Sequence, residues 1–276
     1  MNEAPNPPLP HPLRRLGALG LLVGAALAAA LFLSLLSLPL LSLFLRIPPA
    51  ELLRRLAAPL VLQALRLSLI TSVASTAAVA LLGLPLAYLL AMREFTGKRV
   101  LSVLIDLPMV LPPTVAGVGL LLAFGRTGLV GAALVPFGVT IPFTMIAVVL
   151  AQAFVAGPFF INAARAGFES IDPRYLQAAA TLRASPGYVF FRVLVPLCLP
   201  ALLSGAAMTW ARALGEFGAT ITFAGNLPGQ TQTMPLAVYV ALQTDLEAAV
   251  ALSVILVIVA FTLLLILRTL PLRPRR

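Results

Sequence analysis

The stretch YLQAAATLRASPGYVFFRVLVPLCLP, residues 175–200, sets a short polar island inside an apolar chain. Asp172-Pro173 stands just upstream of it and Ser185-Pro186 within it. Each pair joins an oxygen that can accept from free N–H groups to a ring that pre-sets the first helical turn, so each predicts a helix start. The run RYLQAAATLR after Asp172 is rich in helix formers. From Ser185 a second helix rises into the apolar run that begins near Val193. Ala178, Ala179 and Ala180 bury too little area to hold a helix on lipid. They suit the close approach of a partner's backbone, with Leu176 and Leu182 as anchors.

Outward from this island the chain is apolar. Of 276 residues 61% are hydrophobic and 10% charged, against roughly a quarter charged in soluble domains. Six uncharged runs, Leu16–Leu45, Leu67–Met92, Leu107–Gly125, Thr127–Ala164, Val193–Ala211 and Ala248–Leu267, each reach the ~20 residues a membrane-crossing helix needs. The first is too long for a signal-peptide core and is read as a span. The single cysteine, Cys198, is a small packed side chain. The net charge of +10 sits at segment ends, as a cytoplasmic membrane face requires, and does not point to nucleic acid.

Six spans put both termini on one side. With the termini inside, 13 basic residues are cytoplasmic: Arg14, Arg15, Arg93, Lys98, Arg99, Arg165, Arg174, Arg183, Arg192, Arg268, Arg273, Arg275 and Arg276. Only 5 lie outside, Arg46, Arg54, Arg55, Arg66 and Arg126, with Arg212 inside the fifth span. This asymmetry places both termini in the cytoplasm. The expected organisation is a tail over 1–16, one membrane-spanning domain over 17–270 with a cytoplasmic loop at about 158–192, and a basic tail over 271–276. In the first outer loop, Leu52, Leu53, Leu56 and Leu60 predict an interfacial helix whose arginines reach headgroups.

Two interrupted regions are candidate path linings. Pro108, Pro112 and Pro113 disturb the third span, and such backbone survives at membrane depth only beside protein or a water-filled cavity. Pro112, Pro113, Thr114 and Thr220 are the candidates. The fourth run predicts an outer turn or re-entrant piece to about residue 139, then a span over about 140–157. Arg212 and Glu216 are four residues apart, and unpaired charges in a span are expensive, so a mutual ion pair facing the bundle interior is expected; the rival role for Arg212 is contact with an anionic substrate. Asn226, Pro228 and Gly229 signal a turn before Thr231, Gln232 and Thr233.

The segment Gln177–Gly205 resembles the cytoplasmic EAA loop of ABC importer permeases, through Ala178, Ala179, Leu182, Ala184, Ser185, Phe190, Pro196, Pro200 and Gly205. Gln177 stands where that loop usually has glutamate and Arg183 where it usually has glycine. The window WARALGEFGATITFAGNLPG, Trp210–Gly229, together with Leu107–Gly128 and Ala151–Asp172, is similar to the molybdate branch of the molybdate, tungstate and sulfate permeases. The resemblance implies an all-α, six-span type I importer permease in a bacterial inner membrane. It implies a homodimer with the path at its interface, two cytosolic ATP-binding subunits, and an outer solute-binding protein that delivers the oxyanion. It also implies that Gln177, Ala178, Ala179, Leu182, Arg183, Ala184 and Ser185 meet the ATPase. ATP and Mg would be used there, since this chain has no G-x-x-x-x-G-K-S/T run and no cofactor of its own. Sulfate, thiosulfate and tungstate are the alternative cargoes.

Other classes fare worse. An intramembrane enzyme needs a nucleophile with its base or a metal cluster. Here His11 and Cys198 are lone, and Asp106 is explained by a cap or an ion pair. A secondary transporter or channel is the remaining rival, which would work without ATP.

Overall fold

The computed structural model describes residues 11–269, with side chains from Leu21 onward except at 267 and 268. The expected tails fall largely outside these residues, as do the side chains of His11, Arg14 and Arg15. The described residues fall into two compact units, one up to Pro48 and one from Pro49 onward.

The first unit is a single helix, α1 (His11–Arg46), without a charged residue from Leu21 to Leu45. Leu21, Leu31, Leu35 and Leu45 are exposed, and Ser34 and Ser42 satisfy their hydroxyls on the carbonyls of Leu31 and Pro39, each at 2.7 Å. A helix this greasy all round has lipid as its solvent.

The second unit is an all-α bundle built around α7 (Met145–Glu169). Helix α2 (Pro49–Leu56) precedes α3 (Pro59–Met92), and α4 (Lys98–Val110) precedes α5 (Pro113–Phe124). After α5 come a short α6 (Gly131–Leu134) and a 3-10 turn at Val135–Phe137. Beyond α7 lie α8 (Pro173–Thr181), α9 (Pro186–Val189), a π-turn at Phe190–Leu194, and α10 (Val195–Leu214). The chain finishes with α11 (Gly218–Phe223), α12 (Met234–Thr244) and α13 (Leu246–Thr269). Among the described residues five helices are long and apolar enough to cross a membrane, six if α4 and α5 count as one broken span.

Helix α7 is central because its inward stripe is small or apolar at helical spacing: Ala147, Val148, Ala151, Val155, Phe160, Ala164 and Phe168 are buried. It packs chiefly on α3 and α10. The α10 contact depends on Gly205, where an added Cβ would lie 2.8 Å from Ala163 Cβ and 3.4 Å from Phe160 Cα. Without a hydrophobic drive between helices in lipid, such close approach supplies the packing energy.

Three boundaries differ from the sequence reading. The third span is not one helix: α4 and α5 meet at 117° across Leu111-Pro112. Pro112 and Pro113 cannot donate to the α4 carbonyls, and the residue before a proline is driven to extended backbone, so the axis turns there. Gly157-Pro158 does not end the fourth span either. Both residues are buried inside α7, whose helix runs on to Glu169, so the loop expected at 158–192 is shorter. Neighbouring helices shield a proline in this position.

The third difference is the first outer loop. Leu52 and Leu56 of α2 pack inward with Ala64, Met234, Leu252 and Ile255, while Leu53 is exposed and Leu60 belongs to α3. Its arginines are also engaged. Glu51 Oε1 accepts from Arg54 Nη2 at 2.8 Å and from Arg55 Nε at 2.7 Å, and Arg55 Nη1 reaches Asp245 Oδ2 at 3.2 Å.

Candidate functional site

Two places bring the sequence-derived candidates together. The first is the break between α10 and α11. Helix α10 ends at Leu214, and Glu216 lies in the gap, 1% exposed. Arg212 Nη2 stands 2.7 Å from Glu216 Oε2, a contact of charge with no N–H aimed squarely at that oxygen. Glu216 Oε1 accepts the Ala219 N–H at 2.9 Å and so closes the first turn of α11. The carboxylate thus ties the end of one helix to the start of the next, while the Arg212 side chain keeps 30% of its surface.

The broken third span packs against this gap. An added Cβ on Gly218 would lie 2.7 Å from Pro113 Cβ and 3.3 Å from Thr114 N, and one on Gly117 would lie 2.6 Å from Thr222 Cβ. Only glycine allows α5 and α11 this proximity. Pro113 and Thr114 are therefore brought beside the Arg212–Glu216 pair's own segment, with Pro112, Pro113 and Thr114 exposed at the surface of the chain. Thr220, in contrast, is fully buried.

The turn after α11 is also internal. Thr231, Gln232 and Thr233 are buried, and Thr231 Oγ1 accepts the Leu227 N–H at 2.9 Å. Sequence reasoning missed what anchors this region. Ser68 Oγ of α3 accepts the Met234 N–H at 2.7 Å, fixing the start of α12 across 166 residues of chain. It also missed Gln152 of α7, fully buried, whose amide has no partner among the described residues. The only available signal was a polar residue within an apolar helix run.

The second place is the polar island. Asp172 Oδ1 accepts the Arg174 N–H at 2.9 Å and Ser185 Oγ accepts the Tyr188 N–H at 3.3 Å, so both serine- and aspartate-led starts form as the local sequence predicts. Helix α8 closes with a paired stop. The Ala184 N–H donates to Ala179 O and the Arg183 N–H to Ala180 O, both at 3.0 Å, with Arg183 at φ 52°. This is the Schellman arrangement, whose left-handed position favours glycine. Arginine there carries the steric cost of a Cβ in that region.

Ala179 does not belong to the outward surface. It is 8% exposed and turned into the chain, as Leu176 is partly, because they fall on the inner face of α8 three residues apart. Gln177, Ala178, Leu182, Arg183 and Ser185 remain exposed, Leu182 by 82%, with Ala184 half-buried. Beneath α8, Leu176, Ile171, Val189 and Phe190 join a core with Phe168, Leu194 and Cys198. Tyr88 of α3 meets Phe168 and Phe190 edge-on, at ring-centroid distances of 5.8 and 5.0 Å. The ends of α3, α7 and α10 thus share one core beneath α8.

A polytopic helical bundle with one broken span, a charge-neutral break and an anchored surface helix has the fold of a type I ABC importer permease. The chain belongs to the family described as binding-protein-dependent transport system inner membrane component, which residues 83–273 match. It is 49% identical over 197 residues to the molybdenum transport system permease protein of Mycobacterium tuberculosis, covering 71% of this chain and 75% of that one. To the Haemophilus influenzae protein of the same description it is 46% identical over 184 residues, covering 66% and 80%. To the sulfate transport system permease protein of Escherichia coli it is 34% identical over 213 residues, covering 77% of each. Among solved structures it is similar to a bacterial ABC transporter that imports alginate, with TM-score 0.70 and 15% identity, covering 94% of this chain and 97% of that one. The MetNI methionine ABC transporter matches with TM-score 0.59 and 18% identity, covering 76% and 93%. These two likenesses concern the fold. The family makes the chain a membrane component of a transport system rather than an enzyme.

Proposed function

We propose that this chain is the permease of an ATP-driven molybdate importer, acting as a homodimer with two cytosolic ATPase subunits and an outer solute-binding protein. The observation that carries the cargo is the 49% identity over 197 residues with a molybdenum permease protein, against 34% over 213 residues with a sulfate one. The site geometry supports passage without tight retention. Glu216 neutralises Arg212, so a tetrahedral dianion meets a balanced break rather than a bare cation. Helix α5 adds the partial positive charge of its N-terminus at Pro112–Thr114. In this reading ATP-driven closure of the ATPase pair pushes α8, and its anchored core passes the motion to α3, α7 and α10.

The same reading places both termini and the α8–α9 corner in the cytoplasm, supported by the 13 to 5 split of basic residues counted above. Reconstituted vesicles with the matching ATPase and binding protein test it. Molybdate uptake should require ATP and resist a large excess of sulfate. Sulfate uptake that molybdate fails to suppress would move the chain to the sulfate permeases, and uptake without ATP would remove it from ATP-driven import. A cysteine at Gln177, in a Cys198-free background, should label with an impermeant reagent only after permeabilisation.

A further inference from the structure

Among the described residues, the charge of the α8–α9 corner is answered only at Arg174, by Asp172 at 3.9 Å. Arg174, Arg183 and Arg192 are exposed, and no acidic residue occurs between 173 and 192. The two acids just upstream are committed elsewhere. Glu169 pairs with Arg165 at 2.8 Å. Asp172 caps α8 through the Arg174 N–H, with the Arg174 Nε 3.9 Å from its other oxygen. Arg183 and Arg192 have no anionic partner among the described residues. We infer that the surface receiving this corner is lined with carboxylates, so the ATPase subunit presents an acidic cleft to Arg174, Arg183 and Arg192. The inference rests on reading α8 as the helix that docks on that subunit.

A lipid surface is the other place where guanidiniums find anions, and the face of α8 argues against it. Leu176 packs against the chain's own core, and Ala179 is buried. What faces outward is Arg174, Tyr175, Gln177, Ala178, Ala180 and Thr181, with Leu182 exposed at the helix end. A helix that lies in a bilayer needs large apolar side chains on its outward face. Here one tyrosine and one terminal leucine stand among polar and methyl-sized side chains, a mixed face that suits a protein cleft, where guanidinium and carboxylate pair through two parallel hydrogen bonds. Gln177 contributes length and hydrogen bonding without charge, so it leaves the corner's positive balance intact.

The test uses the full chain in zwitterionic nanodiscs with the ATPase subunit of its own transport system. Association is measured at about 50 and about 300 mM salt, across which screening of exposed charges steepens. The triple variant Arg174→Gln, Arg183→Gln, Arg192→Gln should bind about 30-fold more weakly at low salt and lose most of the salt dependence. Arg183→Gly, which relaxes the turn, should lose part of the affinity while unfolding no earlier than wild type, which separates charge from misfolding. A triple variant that binds as wild type does, with the same salt dependence, overturns the acidic cleft and leaves the docking role standing. A wild-type chain that does not bind the ATPase overturns both. If the triple substitution matters only in nanodiscs rich in anionic lipid, the guanidiniums serve headgroups and the inference fails.

Discussion

Arg212 and Glu216 are joined across a helix break: Nη2 lies 2.7 Å from Oε2 while the carboxylate's other oxygen holds the Ala219 N–H at 2.9 Å. One side chain therefore performs two tasks, neutralising a cation and starting α11. Glu216→Gln keeps an acceptor for Ala219 and removes only the charge. It should destabilise by about 2 kcal/mol, below the range for a fully buried pair because Arg212 retains some exposure. Glu216→Ala loses the cap as well and should cost more. Combining Glu216→Gln with Arg212→Gln should recover part of the loss in a double-mutant cycle of thermal stability and uptake. Strict additivity would mean that the contact contributes nothing and that Arg212 is available to the anion.

The clasp at α2 makes a pH prediction. Hydrogen bonds from Arg54, then Arg55, hold Glu51 below the usual carboxylate range. For Asp245 the larger cause is the Ala248 N–H, which its Oδ1 accepts at 3.0 Å, with the charge of Arg55 adding to it. Carboxyls whose folded pKa is depressed stabilise the fold above their unfolded pKa, and that stability disappears as pH falls through the folded value. Amide exchange in α2 and in the first turn of α13 should be flat from neutral pH down to the normal carboxylate range, after correction for intrinsic rates, and should rise together below it. Arg55→Gln should loosen both segments already at neutral pH. Exchange that rises in only one of them would show that Arg55 does not connect them.

Most of the bundle was legible in the sequence because lipid imposes a simple rule: long uncharged runs become helices. The capped starts at Asp172 and Ser185 were legible for the same kind of local reason. What escaped was set by contacts between distant residues. Nothing near Pro158 says that it continues a helix, since α3 and α10 supply the packing that tolerates it. The 117° turn at Leu111-Pro112 was visible as disturbance but not as direction, which the Gly218–Pro113 contact fixes. Ala179 could not be told from Ala178 because three adjacent alanines look alike, and only the rotation of α8 distinguishes the inward one.

Arg183 offers a direct measure of turn strain. It occupies the left-handed position of a Schellman stop at φ 52°, where a Cβ meets the following carbonyl. Arg183→Gly should stabilise the α8–α9 corner by up to about 1 kcal/mol, offset in part by the greater freedom of glycine in the unfolded chain. Slower amide exchange at Ala184 and at position 183, whose N–H groups close the motif, is the expected readout. Faster exchange would mean that the arginine is held by contacts stronger than its strain.

Ala178 and Ala179 separate docking from folding, since they are adjacent in sequence and opposite in exposure. Helix α8 turns about 100° per residue, so Ala179 is buried while Ala178 faces out. Ala179→Leu adds three carbons where the chain is already closed. It should cost about 1–3 kcal/mol through overpacking and unseat α8, visible as a lower melting temperature in detergent and faster exchange over Pro173–Thr181. Ala178→Leu meets solvent on the same helix and should leave the melting temperature within the range of ordinary surface substitutions, about 0.5 kcal/mol. If α8 is the element on which the ATPase sits, the outward leucine should nevertheless weaken ATPase capture and ATP-driven uptake, because the added bulk falls at the contact. The two variants thus predict opposite patterns: one loses stability first and function as a consequence, the other loses function alone. Normal capture and normal uptake by Ala178→Leu would show that the outward face of α8 carries no partner, and the transmission of motion through Leu176 and Phe190 would have to begin elsewhere.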